Sequence, residues 1–381
     1  MRGKFISLVL ACAVAVAACS SGGGVDGGAA TTTTTVVEDA YPGDEWAAVE
    51  PGEAGFDPAG LDRLAAQAEA AGSACLVVTR EGEVVDERYW QGMTADTPRE
   101  AFSVTKSVTS TLVGIAQDEG LLDVAEPAAD HIPQWSGTAA EAVTVENLLS
   151  NDSGRHWDFA TDYGAMAIRA PDKTAFAIDL AQDDAPGDVW AYNNSAIQTL
   201  SAVLESATGE SPVDFARTWL FEPLGMRHSE LTTDAAGNAQ TYAGLKTTCL
   251  DLARFGYLML RDGSWDGEPV VSADYVEQAT GESSTPLNAA YGWLWWLNHR
   301  GPIGSPRMAT TGAADAPIAD GQLVPDAPDD VFWALGFNNQ IVAVIPSEGV
   351  VAVRMGAGPP PGSPFTQAEL TMGVLDALAT P

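Results

Sequence analysis

The apolar residues of this 381-residue chain change their spacing twice, and that change limits the folds open to it. Cys75-Leu-Val-Val-Thr and Val84-Val-Asp-Glu-Arg-Tyr-Trp are β-branched and aromatic runs joined by Arg80-Glu-Gly-Glu, which predicts a hairpin with a tight turn at Gly82. Near the other end, Tyr291-Gly-Trp-Leu-Trp-Trp-Leu, Val331-Phe-Trp-Ala-Leu, Ile341-Val-Ala-Val-Ile and Val350-Val-Ala-Val-Arg predict strands of an antiparallel meander. Between them, residues 103–119, 195–208, 212–221 and 251–261 carry apolar side chains at helical spacing, with Gly209 and Gly263 as stop signals. Strands at both chain ends with helices between them predict an α/β (α+β) fold. One antiparallel sheet is assembled from the two ends and flanked by helices, and a mainly helical subdomain is inserted into it. The predicted boundaries are 46–118 and 290–381 for the α/β part and 119–289 for the helical part. No internal repeat is evident.

The first 45 residues stand apart. Arg2 and Lys4 precede an apolar run from Phe5 to Ala17, and small residues lead into Cys19. A membrane-spanning helix needs about 20 apolar residues, so this shorter run reads as an export signal over residues 1–18 with a lipobox-like end. Cys19 is then the expected lipidation site, and the protein an exported, membrane-anchored lipoprotein of the cell envelope. Residues 19–45, rich in Gly, Ala and Thr, read as a flexible tether. Their Gly22, Gly24 and Gly27 form a Gly-x-Gly-x-x-Gly pattern with no strand before it and no helix after it, so dinucleotide binding is set aside.

A formal net charge of −34 opposes nucleic acid as a partner, since every phosphate contact would work against the field of the whole protein. Past the signal and the anchor Cys19 only Cys75 and Cys249 remain, in a disulfide-permissive setting. They are candidates for a disulfide, and two buried thiols are the alternative. The four histidines, His131, His156, His228 and His299, show no metal-ligand spacing, and no Gly-x-Ser-x-Gly elbow is present. No metal or cofactor is expected.

The chemistry-bearing candidate is Ser103-Val-Thr-Lys106 at the start of a predicted helix. Residues i and i+3 share a face, so hydroxyl and amine come within hydrogen-bond reach. Val104, Val108 and Leu112 bury that end, and burial disfavours the ammonium form, so Lys106 can accept the Ser103 proton. Alone the motif is also what a capping serine and a surface lysine would give. A second candidate is Tyr192-Asn193-Asn194 in a loop before a helix, where Tyr192 can shuttle a proton and the Asn194 amide can bond the lysine or a substrate carbonyl. By itself it reads more readily as a helix cap with a packed tyrosine.

The order of motifs adds specificity. Phe102-Ser103-Val-Thr-Lys106, Thr144-Val-Glu-Asn-Leu-Leu-Ser-Asn-Asp-Ser-Gly154, Pro186-Gly to Tyr192-Asn-Asn194, Asp251-Leu-Ala-Arg-Phe-Gly256 and Gln340-Ile-Val-Ala-Val-Ile-Pro346 run in the order seen in serine β-lactamase-like proteins and penicillin-binding proteins. In detail the chain resembles the class C β-lactamase-related branch, which includes esterases and aminohexanoate-oligomer hydrolases. The resemblance implies Ser103 as acylated nucleophile, Lys106 as base and Tyr192 as second base and acid, with Asn194 in support. It aligns Ala334-Leu-Gly336-Phe337 with the family's third motif, which implies an oxyanion hole from the Ser103 and Phe337 backbone N–H groups. Ala334 replaces the usual Lys or His there and removes a partner for a substrate carboxylate, so only weak β-lactamase or D-alanyl carboxypeptidase activity is expected. Thr310-Thr-Gly312 is a look-alike of the third motif, followed by no strand. Residues 155–163 fall where relatives carry a substrate-facing loop, so Trp157, Tyr163, Ala334 and Gly336 are the candidate pocket residues, while Trp295 and Trp296 read as core. The expected activity is hydrolysis of a small-molecule ester or amide by way of an acyl-enzyme. The rival is a catalytically silent envelope protein that binds or senses.

Overall fold

The computed structural model describes residues 40–311 and 319–379. The export signal, Cys19 and most of the expected tether lie outside the described residues. Among the described residues no helix is long and apolar enough to cross a membrane.

The molecule is a mixed helix and antiparallel-sheet structure centred on six strands: β1 (Ser73–Arg80), β2 (Glu83–Tyr89), β3 (Trp296–Leu297), β4 (Phe332–Gly336), β5 (Gln340–Ile345) and β6 (Val350–Gly356). Their order, β2-β1-β6-β5-β4-β3, seats the N-terminal hairpin directly against the last strand of the C-terminal meander. Val77 pairs with Val353 and Val344 with Val351, all fully buried. Covered on both faces, these strands read as continuous apolar runs rather than alternating ones. One face is covered by helices α1 (Pro58–Ala70) and, at the C-terminus, Gln367–Ala377. The Trp333 indole of β4 donates to Thr371 of that last helix at 2.9 Å. The other face carries α2 (Val104–Asp118) and α3 (Cys249–Leu260).

Three expectations are corrected. Helix α3 falls within the segment assigned to the helical insert, yet it lies on the sheet: a Cβ at Gly256 would stand 2.5 Å from Val351 Cγ1, so glycine is what permits the close approach. The chain joins the folded body before residue 46, because Tyr257 OH donates to Ala40 O at 2.8 Å and Arg254 donates to the carbonyls of Pro42 and Gly43. The aromatic run from Tyr291 is a strand only at Trp296–Leu297. Leu294 adopts φ of 61°, and its N–H reaches Leu149 O at 3.0 Å, so tertiary bonds pull the run out of the sheet.

Cys75 on β1 and Cys249 at the start of α3 form a disulfide across 174 residues of sequence. Closing so long a loop restricts the unfolded chain and stabilises the fold by about 2–5 kcal/mol. Replacing both cysteines by serine is expected to lower the midpoint of thermal unfolding by roughly 5–10 °C. Calorimetry of the two proteins side by side checks this, and equal midpoints would mean the bond adds nothing to stability.

Candidate active site

The site begins with a helix that has no solvent face. Every residue of α2 from Val104 to Ala116 is buried, so its polar side chains need partners. They have them: Ser107 Oγ donates to Leu294 O, Thr109 Oγ1 to Thr241 O and Thr111 Oγ1 to Ser107 O, at 2.8, 2.8 and 3.1 Å. Ser103 stands at the N-terminal end of this helix, where the dipole favours negative charge. The residue before it, Phe102, has φ of 49°, a sparsely populated conformation for a side chain of this size. Thr105 Oγ1 holds it by donating to Phe102 O at 2.5 Å while accepting from Leu245 N at 2.9 Å.

Lys106 is 1 % exposed. Its Nζ lies 2.9 Å from Ser103 Oγ and 2.8 Å from both Asn194 Oδ1 and the Tyr242 carbonyl oxygen. Desolvation by burial lowers its pKa to about 7, against an opposing pull from Asp162. The last two partners can only accept, so a neutral amine spends both N–H groups on them and turns its lone pair toward Ser103. Lys106 Nζ also lies 4.7 Å from the centre of the Tyr192 ring, a face that stabilises the ammonium once the proton arrives.

Tyr192 is buried and within hydrogen-bonding reach of Ser103. Burial raises its pKa well above that of a free phenol, so the phenol stays protonated near neutral pH and is able to donate. Trp157 Nε1 fixes it from below by donating to the Tyr192 carbonyl oxygen at 3.1 Å. Trp296 stacks on its ring at 5.8 Å between centroids, whereas Trp295 stacks on Phe255 in the core. Asn151, at the left-handed end of the helix Val145–Ser150, accepts from Asn193 N and donates to Tyr291 OH, at 3.2 and 3.0 Å. The Thr144 to Gly154 motif therefore shapes the Tyr192 loop without contributing a reacting group.

Sequence reasoning missed Asp162. This carboxylate is 1 % exposed and accepts from Asn194 N, Asn194 Nδ2, Ser195 N and Ser195 Oγ at 3.2, 2.7, 2.7 and 2.7 Å. Burial raises its pKa, and these hydrogen bonds work the other way. Because Asp162 takes the Asn194 NH2 group, the amide oxygen is left facing Lys106. Asp162 is a positioning residue, carried on the segment Ala160–Arg169, whose hydrogen bonds run i to i+5. The sequence suggests a substrate-facing loop here, and only its place after Gly154 singles it out. Tyr163 follows on it, within hydrogen-bonding reach of Asn194 and stacked on Phe159 at 4.6 Å.

The third-motif residues divide. Gly336 ends β4 against the nucleophile turn: a Cβ there would sit 2.2 Å from Ala101 O, so only glycine lets the strand reach it. Phe337 packs edge-on against Phe102 with centroids 5.7 Å apart. Ala334 is fully buried and pairs with Val342, so it lines no cleft, contrary to expectation. Thr310-Thr311 pairs with Val189-Trp190, apart from β4, and Gly312 lies outside the described residues. A cavity of about 830 Å³ lies elsewhere, between residues 41–44 and Arg227, Arg254 and Trp265, and holds none of these groups. Among the described residues no group of three or more His, Cys, Asp or Glu side chains is arranged to hold a metal.

The chain is similar in sequence and in fold to several known proteins. The chain is 28% identical over 259 residues to a 6-aminohexanoate-dimer hydrolase of Paenarthrobacter ureafaciens, covering 60% of this chain and 65% of that protein. It is 31% identical over 239 residues to penicillin-binding protein 4 of Amycolatopsis lactamdurans, covering 53% and 62%. It thus spans just under two thirds of these relatives' own length. Among solved structures, a putative 6-aminohexanoate-dimer hydrolase from Bacillus anthracis has a TM-score of 0.66 at 19% identity, covering 87% of this chain and 86% of that one. A class C beta-lactamase mutant has a TM-score of 0.64 at 17% identity, covering 86% and 98%, which shows a shared fold. The beta-lactamase family pattern matches residues 61–375, and this chain belongs to that family.

Proposed function

We propose that this protein hydrolyses an ester or amide bond through an acyl-enzyme on Ser103. One observation carries the reading: Lys106 is buried, its two N–H groups are engaged by acceptors, and its remaining valence is aimed at Ser103 Oγ, 2.9 Å away. Ser103 attacks the carbonyl carbon and its proton passes to Lys106. The oxyanion is held by the Ser103 and Phe337 backbone N–H groups. As the C–O or C–N bond breaks, the leaving group takes the proton back by way of Tyr192. Water then attacks the acyl carbon, returns a proton to Ser103 along the same path, and releases the acid. The buried Ala334 offers no charge to a substrate carboxylate, which argues against efficient turnover of β-lactams and D-alanyl peptides.

Ser103→Ala is expected to reduce p-nitrophenyl butyrate turnover by several powers of ten, with little cleavage of a chromogenic cephalosporin by the parent protein. A fluorophosphonate probe should label the parent at Ser103. A folded parent that takes no label and turns over no ester would instead be a silent binding protein.

The base must be neutral to act, so kcat/KM is expected to rise with pH and level off above the Lys106 pKa of about 7. Below it the rate falls about tenfold per pH unit. Asp162→Asn removes a negative charge that favours the ammonium, so the midpoint should move to lower pH. The plateau should also fall about tenfold or more, as the Asn194 amide loses its orientation. A plateau loss with an unmoved midpoint would limit Asp162 to a structural role.

A further inference from the structure

Five large apolar side chains are exposed among the described residues: Leu121, Phe159, Ile168, Met308 and Phe337. Single exposed apolar residues are ordinary, but contiguous ones mark binding surfaces. Four of these five stand on segments tied to the catalytic groups. Phe337, 69 % exposed, packs on Phe102, the neighbour of Ser103. Phe159, 54 % exposed, stacks on Tyr163, which reaches Asn194. Ile168, 79 % exposed, belongs to the same segment: positions 159, 163 and 168 are four and five residues apart, which places them along one side of a helix bonded i to i+5. Asp162 and Met166 on that segment are buried. Met308, 58 % exposed, follows Arg307, whose charge acts on Tyr163, and its segment continues to Thr310, the partner of Trp190.

We infer that Phe159, Ile168, Met308 and Phe337 form an apolar rim that binds an uncharged hydrocarbon chain of the substrate, so the preferred substrate is an ester or amide carrying a medium-length or long apolar chain. This inference rests on the hydrolase reading above. The four side chains come from three separate stretches of sequence, and each stretch is joined to a neighbour of the catalytic set: Phe337 packs on Phe102 beside Ser103, Phe159 stacks on Tyr163 beside Asp162, and Thr310 pairs with Trp190 two residues before Tyr192. A chain attached to the scissile carbonyl is therefore an occupant that meets all of them. The overall charge argues against the other occupants: at −34, a second copy of this chain or an anionic surface would be repelled. Each methylene that leaves water on the rim strengthens binding, and partial burial on an open rim gives part of the full effect.

The test is kcat/KM of the full chain for p-nitrophenyl esters from acetate to dodecanoate, kept below their aggregation limits, beside an Ile168→Ser, Met308→Ser double variant. The expected result is a rise of about two- to fourfold per added methylene up to roughly eight carbons. The double variant should flatten that slope while leaving acetate turnover within about twofold of the parent. Acetate turnover with no dependence on chain length in the parent would overturn the rim and leave the hydrolase reading standing. Failure to turn over any ester, with Ser103 unlabelled by a fluorophosphonate, would overturn the hydrolase reading and this inference with it. Sedimentation and binding to neutral phosphatidylcholine vesicles complete the test. If the double variant changes self-association or vesicle binding but not the slope, the rim serves a second copy or a bilayer, and the inference is wrong.

Discussion

The site depends on keeping an amine dry. Lys106 is fully enclosed without a carboxylate in direct hydrogen-bond contact, an arrangement that disfavours the ammonium and makes the lysine a base. Burial of that kind cannot be achieved by one helix face. It needs a helix wrapped on all sides, and α2 is buried at every position from Val104 to Ala116. The sheet, the Leu294 turn, the segment around Thr241 and Tyr275 each cover part of it, and the last three each share a hydrogen bond with one of its Ser or Thr side chains. These hydroxyls allow a helix of small polar residues to sit in the interior without unpaired donors.

The same enclosure explains how charge is graded around the site. Asp162 is close enough to oppose the desolvation of Lys106, yet it is separated from it by the Asn194 amide. A carboxylate bonded directly to the lysine would stabilise the ammonium and suppress the base. With an amide between them, the carboxylate orients the lysine's acceptor and moderates its pKa. Tyr192 is shifted in the opposite sense, because burial disfavours its charged form, the phenolate. Two groups shifted in opposite directions within one pocket are able to divide the labour of base and acid in the proposed reaction.

How much of this was legible in the sequence follows from the range of each interaction. Ser103 and Lys106 are three residues apart on one helix, and Tyr192 and Asn194 flank one turn, so local spacing offered them as candidates and the order of motifs along the chain singled them out. The sheet was legible because Val77, Val344, Val351 and Val353 belong to runs too apolar and β-branched for a surface. Asp162 was not, because its meaning lies in Asn194 and Ser195, 32 and 33 residues away, and nothing in its neighbours announces a buried carboxylate. The Tyr291 run misled for a related reason. Its composition is that of a strand, but Leu294 bonds to Leu149 and Ser107, and those contacts override local preference. Ala334 was placed correctly on the strand that ends beside the nucleophile, while its complete burial depends on packing against that strand, which alternation cannot report.

The substitution at Ala334 and the apolar rim are two sides of one change in selectivity. A cation at the third motif would draw a carboxylate toward the oxyanion hole through a charge-assisted bond, a strong and directional contact. Here that position is a buried methyl group, and the chain as a whole carries −34. An anionic substrate would approach against the field and find no cation at position 334. What remains to orient a substrate is the surface around the nucleophile, and there Phe159, Ile168, Met308 and Phe337 stand exposed. Apolar contact is non-directional and grows with the area covered, so such a site selects by the length and shape of a hydrocarbon chain. The reacting groups stay as they are, and selection passes from charge to apolar area.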